Sequence, residues 1–241
     1  MAGAKIRLYV EQPLGEGQSV PAEGGQAHYL FAVMRLGPGD RVALFNGSEG
    51  EWEAEITEAS KRRGLLTCLR QTAPQRDPPD LWLLFAPIKK SRTDFIVEKA
   101  AELGTRRILP VLTEHTNAER VRRDRLQAHA VEAAEQCGGT FVPEVAELTP
   151  LTRLLAEWPA DRDLVFCDET RTAAPAGLPP GGSARAGILI GPEGGFSERE
   201  RARIAAVPRA EPVSLGPRIL RADTAAVAAL TLWQAARGDW R

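Results

Sequence analysis

Residues 186–200, Ala-Gly-Ile-Leu-Ile-Gly-Pro-Glu-Gly-Gly-Phe-Ser-Glu-Arg-Glu, constrain this chain more than any other stretch. Ile188-Leu189-Ile190 is a short apolar run bounded by glycines, the pattern of a buried strand, although periodicity alone also admits a helix. Gly191-Pro192-Glu193-Gly194-Gly195 cannot be a helix interior, because proline removes a donor and glycine favours turns. Ser197 with Glu200 three residues later has the spacing of a capping box that starts a helix. Strand, glycine turn and capped helix together hold small ligands against bare backbone, or simply make a tight turn.

A second loop of this kind follows. Val213-Ser214-Leu215 is a short run ended by Gly216-Pro217, and Arg218 to Thr224 leads into the alanine-rich stretch Ala225 to Trp233. That stretch is a strong helix former, with Asp223 or Thr224 available as its cap. Two such loops are a better site candidate than one. Neither carries a phosphate-loop lysine, so they suit a ligand held by main-chain groups rather than a polyphosphate. Dinucleotide, serine-elbow and cysteine–histidine nucleophile patterns are absent from the sequence.

The remainder divides in two. Residues 1–74 read as β-rich, with Lys5–Val10, Arg41–Phe45, Glu51–Ile56 and Leu65–Leu69 as strands and Asn46-Gly47 as a hairpin signal. Several short strands so close together suggest a small barrel, with a short helix at His28–Arg35. Pro-Gln-Arg-Asp-Pro-Pro-Asp at 74–80 marks the boundary. Residues 75–241 alternate strands and helices, as an α/β domain does. Strands are expected at Leu81–Pro87, Arg107–Leu112 and Leu164–Cys167. Helices are expected at Thr93–Gly104, with Phe95, Ile96, Ala100 and Leu103 on the apolar side, and at Leu126–Cys137. Asp168-Glu169-Thr170 falls at a strand's C-terminal end, where open α/β sheets collect ligands.

Charge and composition limit the partners. With 31 Lys+Arg against 32 Asp+Glu the formal charge is −1, so nucleic-acid binding requires a local basic patch. Lys89 and Arg92, after the first strand of the second domain, and the cluster Arg120, Arg122, Arg123 and Arg125 are the candidates. The three cysteines are scattered and odd in number, which suits a reducing, cytoplasmic setting and neither disulfides nor zinc. His28, His115 and His129 lack metal spacing, so no metal is expected. No apolar run is long enough to span a bilayer, and no signal-peptide pattern is expected at the N-terminus.

The segments Ile190–Ser197 and Leu215–Ala225 resemble the signature of the RsmE family, bacterial 16S ribosomal RNA (uracil-N3)-methyltransferases of the SPOUT superfamily. Lys89, Arg92, Lys99, Glu102-Leu103-Gly104, Ile108 and Pro110 match its middle segment. Glu132–Gln136 and His28–Arg35, with Gly37 and Gly39, resemble other parts, so nearly the whole chain is covered. Asp223 departs from a frequent Glu, and Gly139 and Phe141 stand where polar residues are expected.

The resemblance implies a SPOUT-type α/β domain with a C-terminal trefoil knot, preceded by a small PUA-like β-barrel domain. It implies a homodimer, with the alanine-rich helix ending in Trp233 as a dimer element. It implies S-adenosyl-L-methionine as cofactor, held by Ile190, Gly191, Pro192, Gly195, Leu215, Gly216, Ile219 and Leu220. Its substrate is 16S ribosomal RNA in the small subunit, and Arg35, Lys89, Arg92, Arg122 and Arg123 are the expected RNA contacts. Arg221 and Glu193, by their place in the two loops, are the catalytic candidates. Another RNA substrate, or a ribosome-associated RNA-binding protein without catalysis, are the competing readings.

Overall fold

A computed structural model describes residues 6–117, 120–178 and 181–240. Lys5, expected in the first strand, lies outside them. The chain forms two compact units, Met1–Asp77 with Ala134–Val142, and Pro78–Ala133 with Pro143–Arg241.

In the first unit, five strands pair in the order β1 (Arg7–Tyr9), β3 (Arg41–Phe45), β4 (Glu51–Ala59), β5 (Arg63–Ala73) and β2 (Ser19–Glu23). Only the β1–β3 pair is parallel. Leu8, Val20, Leu44, Ile56 and Leu66, one from each strand, share a single core with Leu30. A flat sheet could not bring its two edge strands to one core, so this sheet curls. The hydrogen-bonded path ends at β1 and β2, and the expected barrel is therefore described as a curled sheet. The Asn46-Gly47 hairpin is present across residues 46–50, with Asn46 Oδ1 accepting the amides of Ser48 and Glu49 at 3.0 Å each.

The expected helix at His28–Arg35 begins earlier and is partly π-helical. α1 (Gly24–Ala27) continues into a π turn at His28–Val33, and Arg35 then takes the left-handed φ of 57°. Residues 134–142 are bonded to this unit by Tyr9 N to Glu135 Oε1 at 2.9 Å, by Arg76 N to Thr140 Oγ1 at 3.0 Å and by Arg7, which caps the carbonyls that end their helix. Its Nη1 donates to Ala134 O at 2.6 Å and Glu135 O at 3.0 Å, and its Nη2 to Gly139 O at 2.8 Å. Such capping satisfies carbonyls that have no partner within the helix.

The second unit is built on a parallel sheet ordered β12 (Ala210–Val213), β10 (Asp163–Cys167), β11 (Ala186–Ile190), β6 (Leu81–Phe85), β7 (Arg107–Leu112), β8 (Glu144–Val145). β9 (Thr149–Pro150) also pairs with β7. Every residue of β10 and β11 is buried, as expected of parallel strands covered on both faces. One face packs Leu84, Leu109, Leu164, Phe166 and Leu189 with Leu151 of α4 (Leu151–Ala156) and Ile204 of α5 (Glu198–Ala205). α2 (Lys90–Glu102) packs with α6 (Ala222–Arg237), and α6 with β11. The α2–α6 contact is locked by Gln234, whose buried Nε2 donates to Leu103 O at 2.6 Å and Gly104 O at 3.3 Å. α3 (Arg123–Cys137) starts one turn before the expected Leu126.

Two expectations fail for tertiary reasons. Phe95 was placed on the apolar side of α2, yet it is 39% exposed, while Ile96, Val97 and Ala100 fill the buried face. The alanine-rich helix is expected to offer its terminal aromatic to a dimer partner, yet the Trp233 ring is fully buried inside the unit and packs the core. Its neighbour Leu232 is the exposed apolar side chain of that turn. Trp233→Ala should therefore cost about 3–5 kcal/mol in urea unfolding of this unit, a core-truncation magnitude. Leu232→Ala should change it by less than about 1 kcal/mol. Equal effects would contradict the placement of Trp233.

Candidate functional site

β10, β11 and β12 run parallel and end at one edge of the sheet, and the chain after each strand turns into one hollow. Its volume is about 220 Å³. All of Ile190, Gly191, Pro192, Glu193, Gly195, Leu215, Gly216, Ile219, Leu220 and Arg221 line it. The two glycine loops, separated in sequence by α5 and β12, are therefore walls of a single cavity. Lys89, Arg92, Arg122 and Arg123 are not among its lining residues. Arg35 belongs to the other unit, on an exposed helix end.

Local chemistry shapes the first loop. Gly195 N donates to Pro192 O at 2.9 Å, closing a tight turn. Gly195 has φ +66°, and a Cβ there would collide with Glu169 Oε1. Only glycine fits this conformation and this contact. The capping box is formed: Glu200 N donates to Ser197 Oγ at 3.2 Å and Ser197 N to Glu200 Oε2 at 3.0 Å. Such a cap is worth about 1 kcal/mol. Glu200 is buried, and its other oxygen accepts Glu114 N at 2.9 Å. His115 Nδ1 lies 3.0 Å from Gly194 O and 3.1 Å from Gly195 O. Both oxygens accept only, so Nδ1 carries the hydrogen. The turn after β7 thus fastens the glycine loop from outside.

The second loop is held differently. Ser214 forms β-bridges to Ala176 and Gly177, so the long connection after β10 returns against the end of β12. Asp223 and Thr224 were the expected caps of α6. The N-cap is instead Arg221, with no side-chain cap. Asp223 turns to Arg92, whose Nη1 donates to its Oδ2 at 2.9 Å. Its Oδ1 accepts the neighbouring Thr224 N at 3.0 Å, and the long-range ion pair ties the start of α6 to α2. Arg221 and Glu193 are both exposed at the hollow.

The basic cluster at the start of α3 is largely engaged. Arg122 pairs with Asp124 at 2.6 Å while remaining highly exposed. Arg123 Nε donates to Val145 O at 2.8 Å, and Arg125 pairs with Asp94 at 2.7 Å. Lys89 is exposed at the N-cap of α2.

Sequence reasoning missed Arg201. From α5 it bonds Asp168 through Nη1 and Glu169 through Nη2, and its Nε donates to Phe196 O at 3.2 Å. No local pattern marks it, because its partners lie more than thirty residues away. Burial opposes ionisation of Asp168. Donors from the Thr170 hydroxyl and amide and from Arg201 outweigh it and hold the carboxyl below its ordinary 3.8. Cys167 also lines the hollow, but burial pushes its thiol up to about 12, so it is an inert wall rather than a nucleophile. Among the described residues no group of His, Cys, Asp and Glu could hold a metal ion, and no helix is long and apolar enough to cross a membrane.

Comparison with known proteins fits this arrangement. A family model for an RNA methyltransferase domain matches residues 75–234, and one for an RNA methyltransferase PUA domain matches residues 22–67. The chain is 28% identical over 228 residues to the ribosomal RNA small subunit methyltransferase E of Rickettsia conorii, covering 93% of each. It is 32% identical to the protein of that name from Synechocystis, covering 85% of this chain and 69% of the other. The crystal structure of a ribosomal RNA small subunit methyltransferase E from Neisseria gonorrhoeae, bound to S-adenosyl methionine, superposes with a TM-score of 0.86. That similarity covers 98% of this chain and 99% of the other at 28% identity.

The depressed Asp168 carboxyl gives a signed prediction. Its contribution to stability is present above the ordinary carboxylate value and is lost as pH falls through the lower folded value. Asp168→Asn should therefore destabilise the protein at about pH 6 and much less at about pH 3. A difference between wild type and variant that stays constant across that range, in urea unfolding, would contradict it.

Proposed function

The chain belongs to the ribosomal RNA small subunit methyltransferase E family, and from that premise we propose that it methylates N3 of a uridine in 16S ribosomal RNA with S-adenosylmethionine. The observation that carries the reading is the joining of both glycine loops in one hollow at the strand ends. The residues fit the cofactor. Main-chain groups of Gly191 to Gly195 and Leu215 to Leu220 offer amides and carbonyls to an adenine edge. Ile190, Leu215, Ile219 and Leu220 offer apolar surface to its faces. Gly195 has no side chain where one would fill the wall. When bound, the cofactor supplies an activated methyl group on a sulfonium.

The protein's task is then to position the uracil and manage one proton. Neutral uracil carries a hydrogen on N3 that must leave as the new N–C bond forms. Glu193, exposed on the first loop, takes that proton as general base. Arg221, exposed at the start of α6, stabilises the negative charge spreading onto the uracil oxygens. The helix N-terminus on which Arg221 sits favours the same charge. The target base must be unpaired or turned out of its stack to reach these groups.

RNA phosphates are held by Arg35, Lys89, Arg92, Arg122 and Arg123. Arg35, Lys89 and Arg122 are exposed. Arg92 and Arg123 use part of their guanidinium within the protein and keep further donors for a phosphate. The α/β unit is of SPOUT type with a C-terminal trefoil knot. The bridges from Ser214 back to Ala176 and Gly177 support a chain end passing through the preceding connection. The working form is a homodimer. Ile219, 74% exposed at the hollow, supports a second copy covering that side. The place of action is the cytoplasm, where small subunits are assembled.

The test is methyl incorporation into unmodified small subunits, compared with naked 16S RNA and with transfer RNA, followed by mapping of the modified base. N3-methyluridine in 16S RNA is the expected product. Modification of another RNA, or none at all, would overturn the reading. Arg221→Ala should lower kcat by about 10²–10³ with cofactor affinity unchanged, the size seen when one transition-state donor is removed. Normal turnover would remove Arg221 from catalysis.

A further inference from the structure

One wall of the hollow carries chemistry that proton removal and charge stabilisation leave unused. Asp168 and Glu169, at the end of β10, both line the cavity. Arg201 grips one oxygen of each, Asp168 Oδ1 and Glu169 Oε1. Thr170 donates to the same Asp168 oxygen from its amide at 3.1 Å and its hydroxyl at 2.8 Å. The protein thus takes one oxygen of each carboxylate, and among the described residues no hydrogen bond is made to Asp168 Oδ2 or Glu169 Oε2. The absent side chain of Gly195 is what lets the Glu169 carboxylate lie against the loop.

An ionised carboxylate only accepts, so whatever meets this wall must donate. Two acceptors on consecutive residues match the two neighbouring donors of a vicinal diol. The single guanidinium offsets one of the two charges, so the wall stays net negative and accepts from any donor; it is the pairing of two free oxygens on neighbouring residues that matches a diol. Apolar side chains Ile190, Leu215 and Leu220 lie on the other loops of the same hollow. A nucleoside with its base among them would turn its sugar toward β10.

We propose that Asp168 and Glu169, aimed by Arg201, form the ribose-recognition element of the pocket, accepting hydrogen bonds from the 2′- and 3′-hydroxyls of the cofactor. This rests on the S-adenosylmethionine reading. Asp168 and Glu169 touch the ligand, and Arg201 is a positioning residue that acts through them.

The experiment is calorimetry with S-adenosylhomocysteine and its 2′,3′-dideoxy analogue. Wild type should bind the analogue roughly 10–100-fold more weakly, the range for lost hydrogen bonds to charged acceptors. In Glu169→Gln and Asp168→Asn that ratio should shrink toward one, because affinity falls for the hydroxyl-bearing ligand alone. Arg201→Lys keeps the charge but loses the two-pronged grip, and should shrink the ratio too. Thermal unfolding of the ligand-free variants establishes that they are folded. An equal loss for both ligands means that the pair only supports the loop, which overturns the proposal. A retained ratio with selective loss of S-adenosylmethionine against S-adenosylhomocysteine means that the wall reads the sulfonium charge, which also overturns it. Failure of wild type to bind either nucleoside would instead sink the cofactor reading, and this proposal with it.

Discussion

Three neighbouring parallel strands end at one edge, and the chain leaving each of them crowds the same small space. That crowding decides the rest of the α/β unit. Where Glu169 and Gly195 approach, a single methyl group would collide with a carboxylate oxygen. The wall must therefore be main chain there, and main chain offers a ligand amides and carbonyls at fixed positions. A parallel sheet makes this possible because every strand end on that edge is followed by a loop rather than a hairpin.

Loops of this kind need bracing from outside, and most of the bracing comes from far away in sequence. Glu200 closes its own capping box and also binds the amide of Glu114. His115 holds the carbonyls of Gly194 and Gly195. Arg92 holds Asp223 at the start of α6, and Gln234 further along α6 holds the end of α2. Buried or half-buried bonds to charged groups contribute about 1.5–3 kcal/mol each, which is enough to keep a loop in one shape. A rigid socket costs less to fill, because little freedom is lost on binding.

What the sequence made legible was local. Ser197 and Glu200 are three apart, and the capping box is there. The apolar runs around Ile188 and Leu164 are buried strands, and the two glycine–proline loops share one cavity. What it concealed depends on partners distant along the chain. Asp223 has the right residue type for a helix cap, but it lies inside the first turn, where its Oδ1 accepts Thr224 N and its Oδ2 accepts a guanidinium 131 residues away. Phe95 and Trp233 both look apolar, and only packing assigns the first to the surface and the second to the core. Arg201 sits in the run Glu-Arg-Glu-Arg, indistinguishable from a solvated helix face until β10 is placed beside it. Residues 134–142 count with the first unit, bonded there by Arg7, Tyr9 and Arg76, links no periodicity contains.

The proposed function stands on both glycine loops forming one main-chain socket for S-adenosylmethionine. Hydrogen–deuterium exchange with and without that ligand tests it most directly. Added ligand should slow exchange together at 190–195 and at 215–221, with little change in the curled sheet of the first unit. Protection confined to one loop, or lying away from both, would contradict it.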